Sequence, residues 1–237
     1  MLISSCFENN WYYFFWKPFT VPSTFGKQKS FLDYMLSKEI SLETKFNWPF
    51  VEYLKNLKPI ENINKIIDNQ IKFFWKDKEL WLLNRLDNDT SWLLYFASTP
   101  QDMDKYRQSQ LQWRITKFYI AQVHWKLGKN ESEFQIDYPI MHHKSKADRM
   151  IIIKTAKDFL KWRWRQHNVS TTVKNLNYNS HTNISTLLLS INKGIRHQIR
   201  LHLASIGHPI IWDVLYGENK KSESKLQLYS LWFEISK

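Results

Sequence analysis

The feature that most constrains the fold is a series of short apolar runs separated by polar residues, without a regular strand–helix–strand rhythm. Apolar runs of this length, bounded by turn-forming residues, are typical of β-strands. The strands predicted in this way cover residues 11–16, 80–83, 92–97, 116–123 and 186–191. Residues 31–36 and 198–204 have helical spacing of apolar residues and predict two helices. Strands and helices mingled in this way favour an α+β domain over a doubly wound sheet.

The polar segment 84–91 lies between two predicted strands and therefore predicts a turn whose side chains can face a cleft. Asp87 stands in this segment two residues after Arg85 and just before Asp89, with two hydroxyl residues following. Such residues also cap helices and build ordinary turns. The segment by itself therefore favours a structural turn, and a catalytic interpretation needs agreement from other segments.

The charge of the chain favours a polyanionic partner. Lysine and arginine number 34 against 22 acidic residues, which gives a formal net charge of +12. Residues 149–212 contain ten basic residues and a single acid, Asp158. This stretch suits contact with a phosphate backbone, although a merely solvated basic surface is common.

The single cysteine, Cys6, excludes an intramolecular disulfide and a cysteine-based metal cluster, which fits a reducing compartment. The apolar run 11–16 is far too short to cross a bilayer. We therefore expect a cytoplasmic protein with no membrane association.

Three separated segments resemble, in the same order, motifs of the RluA-type pseudouridine synthases. Residues 84–94 resemble the family signature His-Arg-Leu-Asp-x-x-Thr-Ser-Gly-Leu-Leu. Residues 117–123 resemble its Lys-x-Tyr-x-Ala-x-Val motif, and residues 194–217 resemble its longest signature. Lys17-Pro18 and Leu228-Tyr229-Ser230 extend the resemblance across nearly the whole chain.

The resemblance implies an isomerase that converts uridine to pseudouridine in structured RNA, either rRNA or tRNA, without a cofactor or a metal. It places the catalytic carboxylate on Asp87, which would attack or deprotonate the nucleoside. Arg200 would hold that carboxylate ionised, and Tyr119 would stack on the flipped uracil. Without the motif, Tyr119 would be interpreted as an ordinary core tyrosine. The substrate-binding residues that the resemblance suggests are Arg85, His197, Gln198 and Leu228.

The resemblance also implies a pseudouridine synthase fold, with a mixed, mainly antiparallel sheet, flanking helices and a central RNA-binding cleft. We expect residues 1–237 to form a single catalytic domain without a separate N-terminal RNA-binding domain. A short C-terminal strand usual in the family is expected to be missing or trimmed. The protein is expected to be monomeric and to bind RNA but not DNA.

Two other functions stay open at this stage. The chain could be a non-catalytic RNA-binding module that retains the fold. A basic nuclease or another hydrolase lacks support, because the sequence has no cluster of metal-binding carboxylates. His197, His202 and His208 do not form a metal site with any neighbouring carboxylate or cysteine spacing.

Tryptophan stands at three positions where the family pattern has or tends to have glycine: Trp92, Trp125 and Trp212. The chain has 12 tryptophans and only 5 glycines, although glycine makes up about 7% of typical proteins. Such glycines mark close backbone approach or positive φ. We hypothesise that UGA codons read as glycine have been translated as tryptophan. On that hypothesis residues 161–165 form a flexible Lys-Gly-Arg-Gly-Arg turn and not an aromatic RNA-binding segment. The alternative hypothesis is a divergent protein with genuine tryptophans.

Overall fold

The chain divides into two compact units, residues 1–112 and 113–237, and each is described by itself. The computed structural model describes residues 2–4, 6–9, 12–17, 22–23, 28–37, 40–42, 58–59, 82–129, 132–155, 157–158, 162–217 and 225–236.

The strands of the first unit are β1 Leu2–Ser4, β2 Cys6–Asn9, β3 Tyr12–Lys17, β4 Ile40–Leu42, β5 Lys58–Pro59 and β6 Ser91–Ala97. Four of them pair antiparallel in the order β5-β2-β3-β6. The other two, β1 and β4, pair in parallel. The helices are α1 Phe31–Leu36 and α2 Pro100–Leu111.

Aromatic side chains form the core of this unit. Phe15 on β3 is fully buried and packs edge-to-face against Phe31 of α1 and Phe96 of β6, with ring centroids 5.8 and 5.3 Å apart. Helix α2 begins where Thr99 caps it by accepting a hydrogen bond from the amide of Asp102. Core packing and capping together fix β6, the strand that follows the Asp87 segment.

The strands of the second unit are β7 Ile115–His124, β8 Glu133–Ile136, β9 Ile140–His143, β10 Met150–Ile152, β11 Trp162–His167, β12 Thr171–Asn179, β13 Ile184–Ile191 and β14 Leu228–Ile235. Five of them pair antiparallel in the order β14-β7-β13-β12-β8. The other three form a smaller antiparallel sheet in the order β10-β9-β11. Helix α3, Gln198–Ser205, packs Leu201 into an apolar cluster with Ile140, Met150 and Val169.

The fold class predicted from the sequence is confirmed as α+β with a mainly antiparallel sheet. The strands at 92–97, 116–123 and 186–191 and both predicted helices are present, and β3 covers most of the predicted strand 11–16. Leu82 makes only an isolated bridge to Phe96, so the described part of 80–83 is not a regular strand. The rest of that segment lies outside the described residues.

In the chain as written, residues 162–167 form strand β11, whereas the flexible turn at residues 161–165 is predicted for a chain with glycine at 162 and 164 and stays a prediction. The backbone of this segment pairs with β9, which satisfies its hydrogen-bonding groups in a ladder. A single catalytic domain over residues 1–237 stays a prediction.

Candidate functional site

In the first unit, Asp87 lies on a tight turn that leads into β6. The amide of Thr90 donates to the carbonyl oxygen of Asp87 at 3.0 Å and closes the turn. The Asp87 side chain is half-buried, whereas Arg85 is exposed. The turn predicted from the polar segment is therefore confirmed, with its carboxylate on the boundary between protein and solvent.

Two buried side chains, those of Asn84 and Ser23, hold the backbone at the start of this turn. Asn84 accepts from the amide of Tyr95 at 2.8 Å and donates to the carbonyl of Leu93 at 3.1 Å, which clamps the start of the turn to β6. Ser23 Oγ accepts from the amide of Leu86 and donates to its carbonyl, both at 3.1 Å. Asn84 departs from the family's usual histidine, but its amide can donate and accept at once, as this clamp requires.

Lys17, at the end of β3, closes the other side of the turn. Its Nζ donates to the carbonyl oxygens of Asn88 at 2.9 Å and Thr90 at 2.6 Å. Burial lowers the pKa of Lys17 to about 7, and the charges of Asp89 and Asp87 oppose that shift. The early Lys-Pro match therefore has a structural basis, since this lysine binds the segment that carries Asp87.

In the second unit, Tyr119 lies on β7 and is buried. Tyr119 pairs with Ser230 of β14, and Ala121 pairs with Leu228. Paired residues project from the same face of a sheet, as do residues two apart on one strand. Tyr119 and the buried Leu228 therefore share one face, as an apolar floor beside an aromatic ring requires.

Arg200, on α3, is fully buried and forms a bidentate ion pair with Asp213. Its Nε donates to Oδ2 at 2.8 Å and its Nη2 donates to Oδ1 at 2.7 Å. Sequence reasoning missed Asp213, although it lies inside the 194–217 segment and follows a glycine position of the family pattern. The partner predicted for Arg200 was Asp87, and that pairing stays a prediction.

His197 precedes α3 and is buried in the left-handed conformation, with φ 56°. Tyr216 Oη accepts from the amide of Met150 at 2.9 Å and lies 2.8 Å from His197 Nδ1. Burial, with the charges of Arg200 and Arg196, lowers the pKa of His197 to about 3. His197 is thus neutral and is held in place through the Tyr216 hydroxyl.

Gln198 belongs to a buried network that anchors the start of α3. Its Nε2 donates to the carbonyl of Ser170 at 2.8 Å and to Thr171 Oγ1 at 3.2 Å. Thr171 Oγ1 lies 2.8 Å from His202 Nδ1, while His202 Nε2 donates to the carbonyl of Tyr138 at 2.9 Å. Burial lowers the pKa of His202, which favours the neutral form of this ring. The substrate-binding role expected for Gln198 stays a prediction, and its contacts support the helix.

The three tryptophans at glycine positions have positive φ: Trp92 82°, Trp125 67° and Trp212 63°. Among the described residues, six that are not glycine have positive φ, and four of them are tryptophan, since Trp113 joins the set at 60°. The other two are an asparagine and a histidine, which tolerate this region, whereas a bulky residue there is an outlier. The backbone at these positions is of the kind that glycine adopts.

Within the described residues, no group of three or more histidine, cysteine, aspartate or glutamate side chains could hold a metal ion. Among the helices described, none is long and apolar enough to cross a membrane.

Comparisons with known proteins agree with the motifs. The family model for RNA pseudouridylate synthase matches residues 57–205. An uncharacterized RNA pseudouridine synthase of Helicobacter pylori strain J99 is 30% identical over 202 residues, covering 81% of this chain and 76% of the relative.

A ribosomal large subunit pseudouridine synthase D of Nitrosomonas europaea is 35% identical over 145 residues. The match covers 60% of this chain but only 37% of that relative, so the chain spans well under half the length of this larger protein. The solved structure of human RNA pseudouridylate synthase domain containing 1 superimposes with a TM-score of 0.66 at 16% identity. That superposition covers 98% of this chain and 77% of the human one, and it shows the shared fold.

Proposed function

Because the chain belongs to the family of RNA pseudouridylate synthases, we propose that it isomerises uridine to pseudouridine in RNA, with Asp87 as the catalytic carboxylate. The reaction breaks the bond from the ribose to N1 and forms a bond from the ribose to C5, so it needs a group that attacks or deprotonates the nucleoside. The observation that carries the proposal is the half-buried Asp87 carboxylate on a turn whose backbone Lys17, Ser23 and Asn84 hold in place.

Tyr119 and Arg200 complete the proposed catalytic set. Tyr119 would stack on the uracil after the nucleotide is flipped out of the RNA, and Leu228, on the same sheet face, would form the apolar floor. Arg200 would stabilise the ionised form of Asp87 by a charge-assisted hydrogen bond. His197, as a neutral imidazole held by Tyr216, would hydrogen-bond to the substrate. Arg85 is exposed and suits contact with the RNA backbone.

We propose ribosomal RNA as the first substrate to examine, because the Nitrosomonas europaea relative is named for the large ribosomal subunit. Transfer RNA is the second. The net charge of +12 supports a nucleic acid partner, and RNA rather than DNA follows from the family. We propose that the protein acts as a single-domain monomer and needs no cofactor. We also propose a cytoplasmic location, because a single cysteine fits a reducing environment.

The test is to incubate the protein with rRNA and tRNA transcripts and to map pseudouridine at nucleotide resolution. Asp87→Asn preserves the shape of the side chain and removes the charge, and we expect it to lower the rate by about 10²–10⁴-fold. Asp89→Asn is the matched control, because Asp89 lies in the same turn and is also half-buried. This control should retain the wild-type rate.

RNA binding, measured in parallel, distinguishes the enzyme from a non-catalytic RNA-binding module. Trp92, beside the turn, makes the second function a real alternative, so the assay should include Trp92→Gly. If neither the wild type nor Trp92→Gly makes pseudouridine while both bind RNA, the protein is a non-catalytic RNA-binding module. Full activity in Asp87→Asn would instead remove Asp87 from the catalytic role.

A further inference from the structure

The loop after α3 is built around the carboxylate of Asp213. In addition to the two bonds from Arg200, Asp213 Oδ1 accepts from the amides of Leu215 at 2.9 Å and Tyr216 at 3.0 Å. The amide of Gly217 donates to the carbonyl of Asp213 at 2.9 Å, and a Cβ at Gly217 would lie 2.6 Å from that oxygen. The loop therefore closes on Asp213 and holds its carboxylate in one position.

That carboxylate in turn fixes the plane of the Arg200 guanidinium. A bidentate pair aligns two parallel N–H groups with two oxygens and permits little rotation. The Tyr216 ring covers the guanidinium, with Arg200 Cζ 5.6 Å from the ring centroid. Tyr216 itself is held through its hydroxyl by Met150 and His197. Asp213 thus fixes the plane of the guanidinium, and the Tyr216 ring packs against its face.

We infer that Asp213 is a positioning residue for the reaction and that it acts through Arg200. The pair with Asp213 engages two of the five N–H donors of the guanidinium and thereby sets the directions in which its other N–H groups point. A buried arginine without a counter-ion would strongly destabilise the folded protein, and Asp213 supplies the negative charge that balances Arg200. The inference rests on the proposed function, in which Arg200 serves the catalytic carboxylate.

The test compares single-turnover and steady-state kinetics of pseudouridine formation in wild type, Asp213→Asn, Arg200→Lys and the double variant. Asparagine at 213 can still accept from the Leu215 and Tyr216 amides but loses the charge and one acceptor for Arg200. We expect kcat to fall by about 10²-fold, as a small misplacement of a catalytic group does. KM for RNA should change little, because many phosphate contacts determine RNA affinity.

Non-additivity is the readout that a merely structural role would not produce. If Asp213 acts through Arg200, the double variant should be no slower than the slower single variant. Asp158→Asn is the matched control, since Asp158 also accepts from backbone amides, those of Lys154 and Thr155, in the same unit. We expect this control to keep the wild-type kcat.

If Asp213→Asn does not fold, as judged by far-UV circular dichroism, Asp213→Glu replaces it. This variant keeps the charge but displaces the carboxylate, so kcat should fall while RNA binding persists. Wild-type kcat in a folded Asp213 variant, or additive losses in the double variant, would overturn the inference and leave the proposed function intact. A wild type that makes no pseudouridine would overturn both, because the proposed function itself would then fail.

Discussion

Four tryptophans with positive φ should carry backbone strain that glycine at those positions would relieve. A non-glycine residue in the left-handed region costs roughly 1–2 kcal/mol, so Trp92, Trp113, Trp125 and Trp212 together cost about 4–8 kcal/mol. A domain has a total free energy of unfolding of about 5–15 kcal/mol. The strain is therefore comparable to the whole stability of the protein.

The clearest perturbation replaces the two most exposed members of the set. The exposed fractions of Trp113 and Trp125 are 58% and 42%, so each side chain is about half-buried, and the reference is the Trp113→Ala/Trp125→Ala variant, which removes the same side chains but keeps the positive φ on a non-glycine residue. The contacts of Trp113 with Lys193 and of Trp125 with His124 and His208 are lost in both variants. Relative to alanine, relief of strain gains about 2–4 kcal/mol for the two glycines, and their flexibility costs about 1–2 kcal/mol. We expect the unfolding free energy of the glycine variant to exceed that of the alanine variant by about 1 kcal/mol.

Urea denaturation followed by far-UV circular dichroism measures this change without depending on tryptophan fluorescence. Trp232→Gly is the control, because Trp232 lies on β14 at a φ that is not positive and stacks on Phe118 with ring centroids 4.9 Å apart. At this position glycine should be less stable than alanine by about 0.5–1 kcal/mol, because no strain is relieved. A Trp113→Gly/Trp125→Gly variant that is no more stable than Trp113→Ala/Trp125→Ala would refute the strain argument. UGG codons at 92, 113, 125 and 212 would refute the hypothesis that the gene encodes glycine there.

Two further predictions concern the networks around the proposed site. The pKa of Lys17 is about 7 in the folded protein and the ordinary lysine value of 10.5 in the unfolded chain. The unfolded chain therefore binds more protons between about pH 7 and pH 10, so the unfolding free energy of the wild type rises with pH over that range. Lys17→Met should remove this rise. Urea titrations at pH 7 and pH 9.5 measure this, and equal pH dependence in both proteins would contradict it. Tyr216→Phe should lower the unfolding free energy by about 1–3 kcal/mol, because the Met150 amide and His197 lose their shared hydroxyl. Tyr178→Phe, which removes an exposed hydrogen bond to Asn183, should change it by less than about 0.5 kcal/mol, and equal losses would count against the network.

Local pattern was sufficient to predict several elements of the fold. Strands β6, β7 and β13 and helices α1 and α3 agree with the spacing of their apolar residues. Composition alone did not show that residues 162–167 pair with β9 as strand β11. Leu82 likewise makes a single bridge, which depends on where Phe96 lies and not on the run of apolar residues around it.

The sequence by itself determined the family, the α+β class and the identity of Asp87, Tyr119 and Arg200 as candidates, because short motifs and apolar periodicity are local properties of the chain. Only the tertiary structure decided what holds those residues. Lys17 reaches carbonyl oxygens 71 and 73 residues away, and Asp213 meets Arg200 across the turn that follows α3. Such contacts satisfy buried charges and carbonyl groups, and their partners are set by how the chain packs in three dimensions.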